Sequence, residues 1–384
     1  MKILYVTTGL TTGGAEIMLY QLLFKIDRSR FSPIVVSLMD RGTLGDRIEA
    51  LGIPIYTIGM EPGKLPALNA IGRLVSIVSE NKPDLIQGWM YHGNLLAQLM
   101  EIFSLRKIPI LWDVQCSVYS LALAKKITAT IIRLCAAISR GTFKIIYVSK
   151  VSKSQHEELG YDSDKGCVIP NGIDSNLFTP SSEAKLSFRQ ELSLPETSLL
   201  IGLICRYHPM KDHTNFIKAA ALLLKNKPDI HFIMAGKGVD RQNQSLHQLI
   251  QELGIANQIH LLGERKDMPR LSAALDIACS ASAYGEGCPL VIGEAMSAGV
   301  PCIVTDVGDS GWMVGDTGRI VPPKNPEALA NTWQELIDLG TDGRSTLGQA
   351  ARSRIIEYFS LESVVADYER LYESAMPQRQ ITGV

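Results

Sequence analysis

The sequence predicts an α/β protein of two domains, each a doubly wound parallel sheet, and three observations predict it. At 384 residues the chain is long enough for two such domains, each burying its own core. Short apolar runs rich in Ile, Val and Leu alternate with helix-length stretches, the pattern of parallel strands with helices on both faces. A polar stretch with Pro180 and Pro195 interrupts that alternation. We therefore read 1–175 as the first domain, 176–197 as a linker, 198–360 as the second domain and 361–376 as a closing helix.

In chain order, residues 2–7 read as a buried strand, followed by a turn from Gly9 to Gly14 and a helix beginning near Ala15. The spacing is not G-x-G-x-x-G, and no Gly-Lys-Ser/Thr follows. Gly13 and Gly14 permit a ligand to approach the backbone at the helix start, and a simple chain reversal explains them equally well at this point. Strand-like runs recur at 33–38, 54–58, 84–88, 109–112 and 144–148. His92 follows the fourth strand in chain order, where a doubly wound sheet places its binding loops. Trp89, Tyr91 and His92 are expected to wall a sugar or acceptor there. The competing reading of His92 is a packing or capping residue.

Leu121 to Lys144 sets Lys125, Lys126, Arg133, Arg140 and Lys144 among Ile, Leu and Ala. Such a helix can lie on an anionic bilayer, although a solvated face is the commoner explanation. Asp162-Ser163-Asp164 is formally D-x-D but sits in polar turn sequence. Val168 to Asp174 is turn chemistry after a strand.

The second domain opens with a strand from Leu199 to Cys205, then Arg206 and, five residues later, Lys211 before a helix. A planar fork and a movable point charge together suit a diphosphate, while two solvated cations are the plain alternative. The strand 230–235 ends in Gly236-Lys237-Gly238, and Ile259 to Gly263 leads to Glu264 and Arg265. A strand from Leu275 to Cys279 precedes Gly285-Glu286-Gly287-Cys288-Pro289-Leu290-Val291-Ile292-Gly293-Glu294-Ala295-Met296. Glu286 lies in a glycine-rich loop, and Glu294 about one and a half turns into an apolar helix. Pro289 suits the first helical turn. The N–H groups of Leu290 and Val291 at that helix start attract phosphate, and the flanking carboxylates accept paired hydrogen bonds from sugar and ribose hydroxyls. A merely solvated Glu294 reads poorly among Val291, Ile292, Ala295 and Met296, where an unpaired carboxylate is costly. Strands at 301–305 and 318–321, helices at 326–338, 345–358 and 361–375, and a frayed tail from Pro377 complete the chain.

Net charge is −1, which gives no reason to expect a nucleic-acid partner. Residues 1–180 hold 19 Lys and Arg against 15 Asp and Glu, and the remainder 19 against 24, so the first half is the basic one. The seven cysteines show no metal or disulfide spacing. A reducing cytosol is the simplest compartment, and no signal peptide is read at Met1.

Taken together, these motifs resemble the retaining glycosyltransferases of family 4. Glu286 and Glu294 are similar to that family's E-x7-E signature, Gly13-Gly14-Ala15-Glu16 to its G-G-A-E loop, Pro170 to Asp174 to its P-N-G-I-D segment, and Arg206 with Lys211 to its R-x4-K pair. The resemblance covers nearly the whole chain. It implies the GT-B fold, two facing Rossmann-like domains with an interdomain cleft, and a closing helix that packs back on the first. It implies transfer of a sugar, with retention, from a nucleotide diphosphate sugar to a glycan or lipid-linked acceptor hydroxyl. No metal and no cofactor beyond the donor are expected. Among the bases, uracil is preferred by family frequency.

In the implied roles, Arg206, Lys211, Gly13, Gly14, Leu290 and Val291 meet the diphosphate, and Glu294 the ribose. Glu286 holds the donor sugar and His92 orients it. Backbone near Glu264 and Arg265 meets the base, and Arg265 either stacks on it or is a surface charge. The family's place in polysaccharide or lipid-linked glycan assembly implies a cytoplasmic protein, with peripheral contact at the inner face of the plasma membrane held open through the basic first domain. Cys288 stands where the family commonly has Phe, so the donor-sugar pocket is expected to differ. Three rivals stand beside this reading: a nucleotide-sugar epimerase of similar fold, an NAD-dependent oxidoreductase, disfavoured by the absent G-x-G-x-x-G and ribose-binding acid, and a noncatalytic nucleotide-sugar-binding protein.

Overall fold

The structure, a computed structural model, describes residues 1–61, 68–103, 107–118, 120–123 and 125–376. The expected tail from Pro377 lies outside them. The chain folds into two compact units. One contains Met1–Gly172 and the segment from Leu361 onward, the other Ile173–Ser360.

The first unit is a seven-stranded parallel sheet in the order β3-β2-β1-β4-β5-β6-β7. Its strands are β1 (Lys2–Thr7), β2 (Ser32–Ser37), β3 (Ile55–Thr57), β4 (Leu85–Trp89), β5 (Ile110–Val114), β6 (Lys144–Tyr147) and β7 (Gly166–Val168). β4 and β5 are buried at every residue, as strands covered by helices on both faces must be. The order reverses between β1 and β4, opening a crevice at their carboxyl ends. Gly93 allows the first turn of the helix Met90–Phe103 to sit against β1: a Cβ there would lie 2.1 Å from the Val6 carbonyl oxygen.

The helix Leu361–Ser374 completes this unit. Val364, Val365, Tyr368 and Tyr372 join a core with Ile3, Leu19, Leu22 and Phe31. The Tyr368 hydroxyl donates to Asp113 Oδ2 (2.7 Å) and the Tyr372 hydroxyl to Gln87 Oε1 (2.6 Å). Gln87 Nε2 and Gln115 Nε2 also donate to Asp113. Burial pushes the Asp113 carboxyl up to about 7 against these three donors.

The second unit has six parallel strands in the order β10-β9-β8-β11-β12-β13. They are β8 (Leu199–Ile204), β9 (Ile230–Ala235), β10 (Ile259–Leu261), β11 (Ile277–Ser280), β12 (Cys302–Thr305) and β13 (Arg319–Val321). Here the order reverses between β8 and β11. Its core joins Phe216, Phe232 and Trp333.

Where a linker was expected over 176–197, the chain folds as the helix Ser182–Glu191. Ser181 caps it by accepting from the Ala184 N–H. Phe188 and Arg189 are buried, and Arg189 donates to the Ser198 carbonyl (2.9 Å) and to Asp276 Oδ2 (2.6 Å). A polar composition conceals this helix because its buried residues are only Ala184, Phe188 and the paired Arg189. The next departure is the helix expected at 345, which starts at Gly340. Among the described residues, no helix is long and apolar enough to cross a membrane.

Candidate active site

In the second unit the candidate residues gather at the reversal between β8 and β11. β8 ends at Ile204, and Arg206, exposed, follows two residues later. Pro209–Lys211 forms one 3-10 turn, and Asp212, at φ +47°, caps the helix His213–Leu224 by accepting from the Asn215 N–H (3.1 Å). That tight reversal turns Lys211 back toward the sheet. Its Nζ pairs with Glu286 Oε1, and the Ser282 hydroxyl donates to the same oxygen. Glu286 and Ser282 are both buried.

The loop carrying Glu286 is held from several sides. The Met210 carbonyl accepts from the Ala283 N–H (2.8 Å), joining the Lys211 turn to this loop. Thr305 Oγ1 donates to the Ser282 carbonyl (2.7 Å), and the Asp309 N–H to the Gly287 carbonyl (3.1 Å). Gly308, at φ +59°, approaches so closely that a Cβ would lie 2.1 Å from the Glu286 carbonyl oxygen. A buried carboxylate held this firmly is positioned before any ligand arrives.

Glu294 is the fifth residue of the helix Leu290–Ser297 and is 9% exposed. Burial alone pushes its carboxyl up to about 7, so near neutral pH it is poised between its two forms. Pro289 is the N-cap rather than part of the first turn, a shift of one position that leaves Leu290 and Val291 at the helix start. Cys288 is buried.

Arg265 is drawn elsewhere. Its guanidinium donates to Glu191 Oε1 (2.7 Å) and to both carboxylate oxygens of Asp267 (2.8 and 2.7 Å), and it holds the Asp267 carboxyl down to about 2. These hydrogen bonds occupy the edge of the guanidinium and leave its face, so they are compatible with either of its two expected roles. Glu264 is exposed, beside the Gly263 carbonyl that accepts from the Gly236 N–H (2.8 Å).

In the first unit, Gly13 is the N-cap of the helix Gly14–Lys25. Trp89 Nε1 donates to the Ala15 carbonyl (2.9 Å), tying the end of β4 to this helix start. The expected aromatic wall is not formed. Trp89 is fully buried beneath the helix start, and Tyr91 is buried on the other side of the sheet, where its hydroxyl meets His156 Nε2 (2.9 Å). The reason is local: β4 passes directly into a helix through Met90 at φ +64°, with no loop to expose consecutive side chains. Only His92 remains half-exposed, in the first helical turn, and burial lowers its pKa so that it is neutral at pH 7.

The D-x-D stretch is a turn, with Asp162 Oδ1 accepting from the Asp164 N–H (3.0 Å). Sequence reasoning missed Ser282. Its signal was a run of small residues, Ser280-Ala281-Ser282, directly after an apolar strand.

Two family profiles match the chain in succession: "Glycosyltransferase Family 4" over residues 12–177 and "Glycosyl transferases group 1" over residues 185–354. The chain is 27% identical over 220 residues to the Escherichia coli UDP-Gal:alpha-D-GlcNAc-diphosphoundecaprenol alpha-1,3-galactosyltransferase, a match covering 56% of each. It is 28% identical over 261 residues to the D-inositol 3-phosphate glycosyltransferase of Corynebacterium urealyticum, covering 64% of this chain and 61% of that one. The matches thus span somewhat over half the length of these relatives. Among solved structures, Anabaena HepE in complex with UDP superposes with a TM-score of 0.86 at 25% identity, over 97% of this chain and all of HepE. HepE is also known in complex with UDP-glucose, with a TM-score of 0.84.

Proposed function

Since the chain belongs to the family 4 type of glycosyltransferases, with their two-Rossmann-domain GT-B fold, we propose that it transfers a sugar from a UDP-sugar to the hydroxyl of a glycan or lipid-linked acceptor. The observation that carries this reading is the cluster at the β8/β11 reversal of half-buried Lys211 with buried Glu286 and Ser282, Glu286 standing eight residues ahead of the buried Glu294. A cation paired with one buried carboxylate, and a second buried carboxylate on the next helix, suit a ligand with both an anionic and a hydroxyl-rich part. A nucleotide diphosphate sugar has both.

The reaction breaks the bond between the anomeric carbon and the diphosphate oxygen, whose electron pair leaves with UDP. The acceptor oxygen forms the new bond on the same face, with retention, and a diphosphate oxygen takes its proton. The barrier is charge separation between a cationic sugar and an anionic leaving group. Arg206, Lys211 and the N–H groups of Gly14, Leu290 and Val291 oppose it by fixed electrostatics. Glu294 accepts from the ribose hydroxyls, Glu286 from donor-sugar hydroxyls, and His92 orients the sugar. No side chain acts as a covalent nucleophile and no metal is required. Lys211 changes partner in this scheme, from Glu286 in the free protein toward the diphosphate in the donor complex.

The setting we propose is cytoplasmic, in polysaccharide or glycan assembly. A peripheral membrane contact through the helix Lys126–Ile138 is supported by exposed Lys125, Lys126 and Arg133 beside exposed Leu134. The test is incubation with UDP-sugars, with and without acceptor and with EDTA. Acceptor-dependent UDP release that survives EDTA, with an anomerically retained product by NMR, is the expected result. An epimerised donor without acceptor, or a donor bound but unchanged, would replace the proposal with one of its rivals.

A further inference from the structure

We propose that His231 and His260 form a binding site for a late first-row divalent cation of the Zn2+, Ni2+ or Cu2+ class, at the edge of the second unit's sheet. His231 lies on β9 and His260 on the neighbouring edge strand β10. The register pairs His260 with Ile233, two residues beyond His231, so the two rings project from the same face of the sheet. His231 Nδ1 and His260 Nε2 face each other at 3.1 Å, with ring centroids 5.2 Å apart. Both residues are half-exposed, so a hydrated ion reaches them.

The spacing suits coordination. A cation about 2.05 Å from each nitrogen subtends an N–M–N angle of about 98°, between the tetrahedral value and the square-planar one. Its centre lies roughly 1.3 Å off the line joining the nitrogens, so each ring must turn by about 41° for its lone pair to meet the ion. Burial lowers the pKa of both rings, that of His260 to about 4, so both are neutral at pH 7 and carry a lone pair. Asp229 beside His231 favours a cation, and Arg241 beside His260 opposes it.

The plain alternative is a hydrogen bond between two neutral imidazoles, in which one facing nitrogen holds a proton. Metal binding displaces that proton to the same ring's outer nitrogen through solvent, with no net change in charge on the ring. Two protein ligands leave the remaining positions to water, which predicts moderate affinity and the Irving–Williams preference for Cu2+. His231 stands four residues, about 13 Å of strand, before Ala235, away from the residues assigned to the donor. The ion would fasten the three-residue strand β10 to β9.

The test is calorimetric titration of the whole chain with ZnCl2 and with CuCl2, beside His231→Gln, His260→Gln and His247→Gln. One site per chain is expected, at least tenfold weaker in the first two variants and unchanged in the third. The Cu2+ form should show electron-spin coupling to two nitrogens. Equal affinity in all four proteins would overturn the proposal. If a variant folds poorly, zinc protection of the parent decides: Zn2+ should shield His231 and His260 from diethylpyrocarbonate, and unshielded modification would overturn it.

Discussion

Lys211 and Glu286 form a pair whose removal has two separable consequences. Their side chains are only 16% and 7% exposed, so Lys211→Met strands a buried carboxylate and should destabilise the protein by about 2–3 kcal/mol, read from denaturant unfolding. On our assignment it also removes a cation from the leaving diphosphate, lowering kcat by about 10²–10³. A loss of stability with kcat intact would confine Lys211 to a structural role. Glu294 makes a pH prediction. Its carboxyl is held up to about 7 in the free protein, and on our assignment ribose hydroxyls donate to the ionised form. UDP affinity should therefore fall about tenfold for each pH unit below 7 and level off above it. Glu294→Gln should flatten the profile, and an unchanged profile in that variant would assign the titration elsewhere.

At the scale of single elements, the helix Leu361–Ser374 is joined to the first unit's sheet by hydroxyls around Asp113. The folded carboxyl sits near 7 and the unfolded one near 3.8, so between those values the folded state holds a proton that the unfolded state has released. Stability from this group is thus greatest below pH 4 and declines as pH rises to 7, by roughly 4 kcal/mol at most. Asp113→Asn should remove that slope in melting experiments compared against the parent. A slope that persists would place it in other groups. Elements are also where the sequence was most legible. The first strand, β9 and the helix Pro326–Asp338 have the expected limits because their periodicity is strong and their ends carry Gly, Asn or Pro. The helix Ser182–Glu191 was hidden because only Phe188 and Arg189 face inward near its end. The pairing of Arg265 with Glu191 was illegible because the two lie 74 positions apart. Ser282 and the burial of Trp89 depend likewise on packing formed only once the sheet is assembled.

For the whole molecule, two parallel, doubly wound sheets could be read from alternation and length alone, whereas their strand order and the place of each reversal could not. The placing of Glu286 in a loop and Glu294 in the helix after it followed from one apolar strand, one glycine loop and one helix. Charge is the other global property. The basic first half and the exposed Lys125, Lys126 and Arg133 predict sedimentation with anionic liposomes, reduced by charge reversal at those three positions. Equal binding by parent and variant would remove the membrane from the account. On the proposed function the second unit holds a UDP-sugar through Arg206 and Glu294. Its most direct test is calorimetric binding of UDP, GDP, ADP and NAD to the parent, Arg206→Ala and Glu294→Ala. Selective UDP binding, weakened at least tenfold in both variants, is expected. Binding of NAD alone, or UDP binding that neither substitution alters, would contradict it.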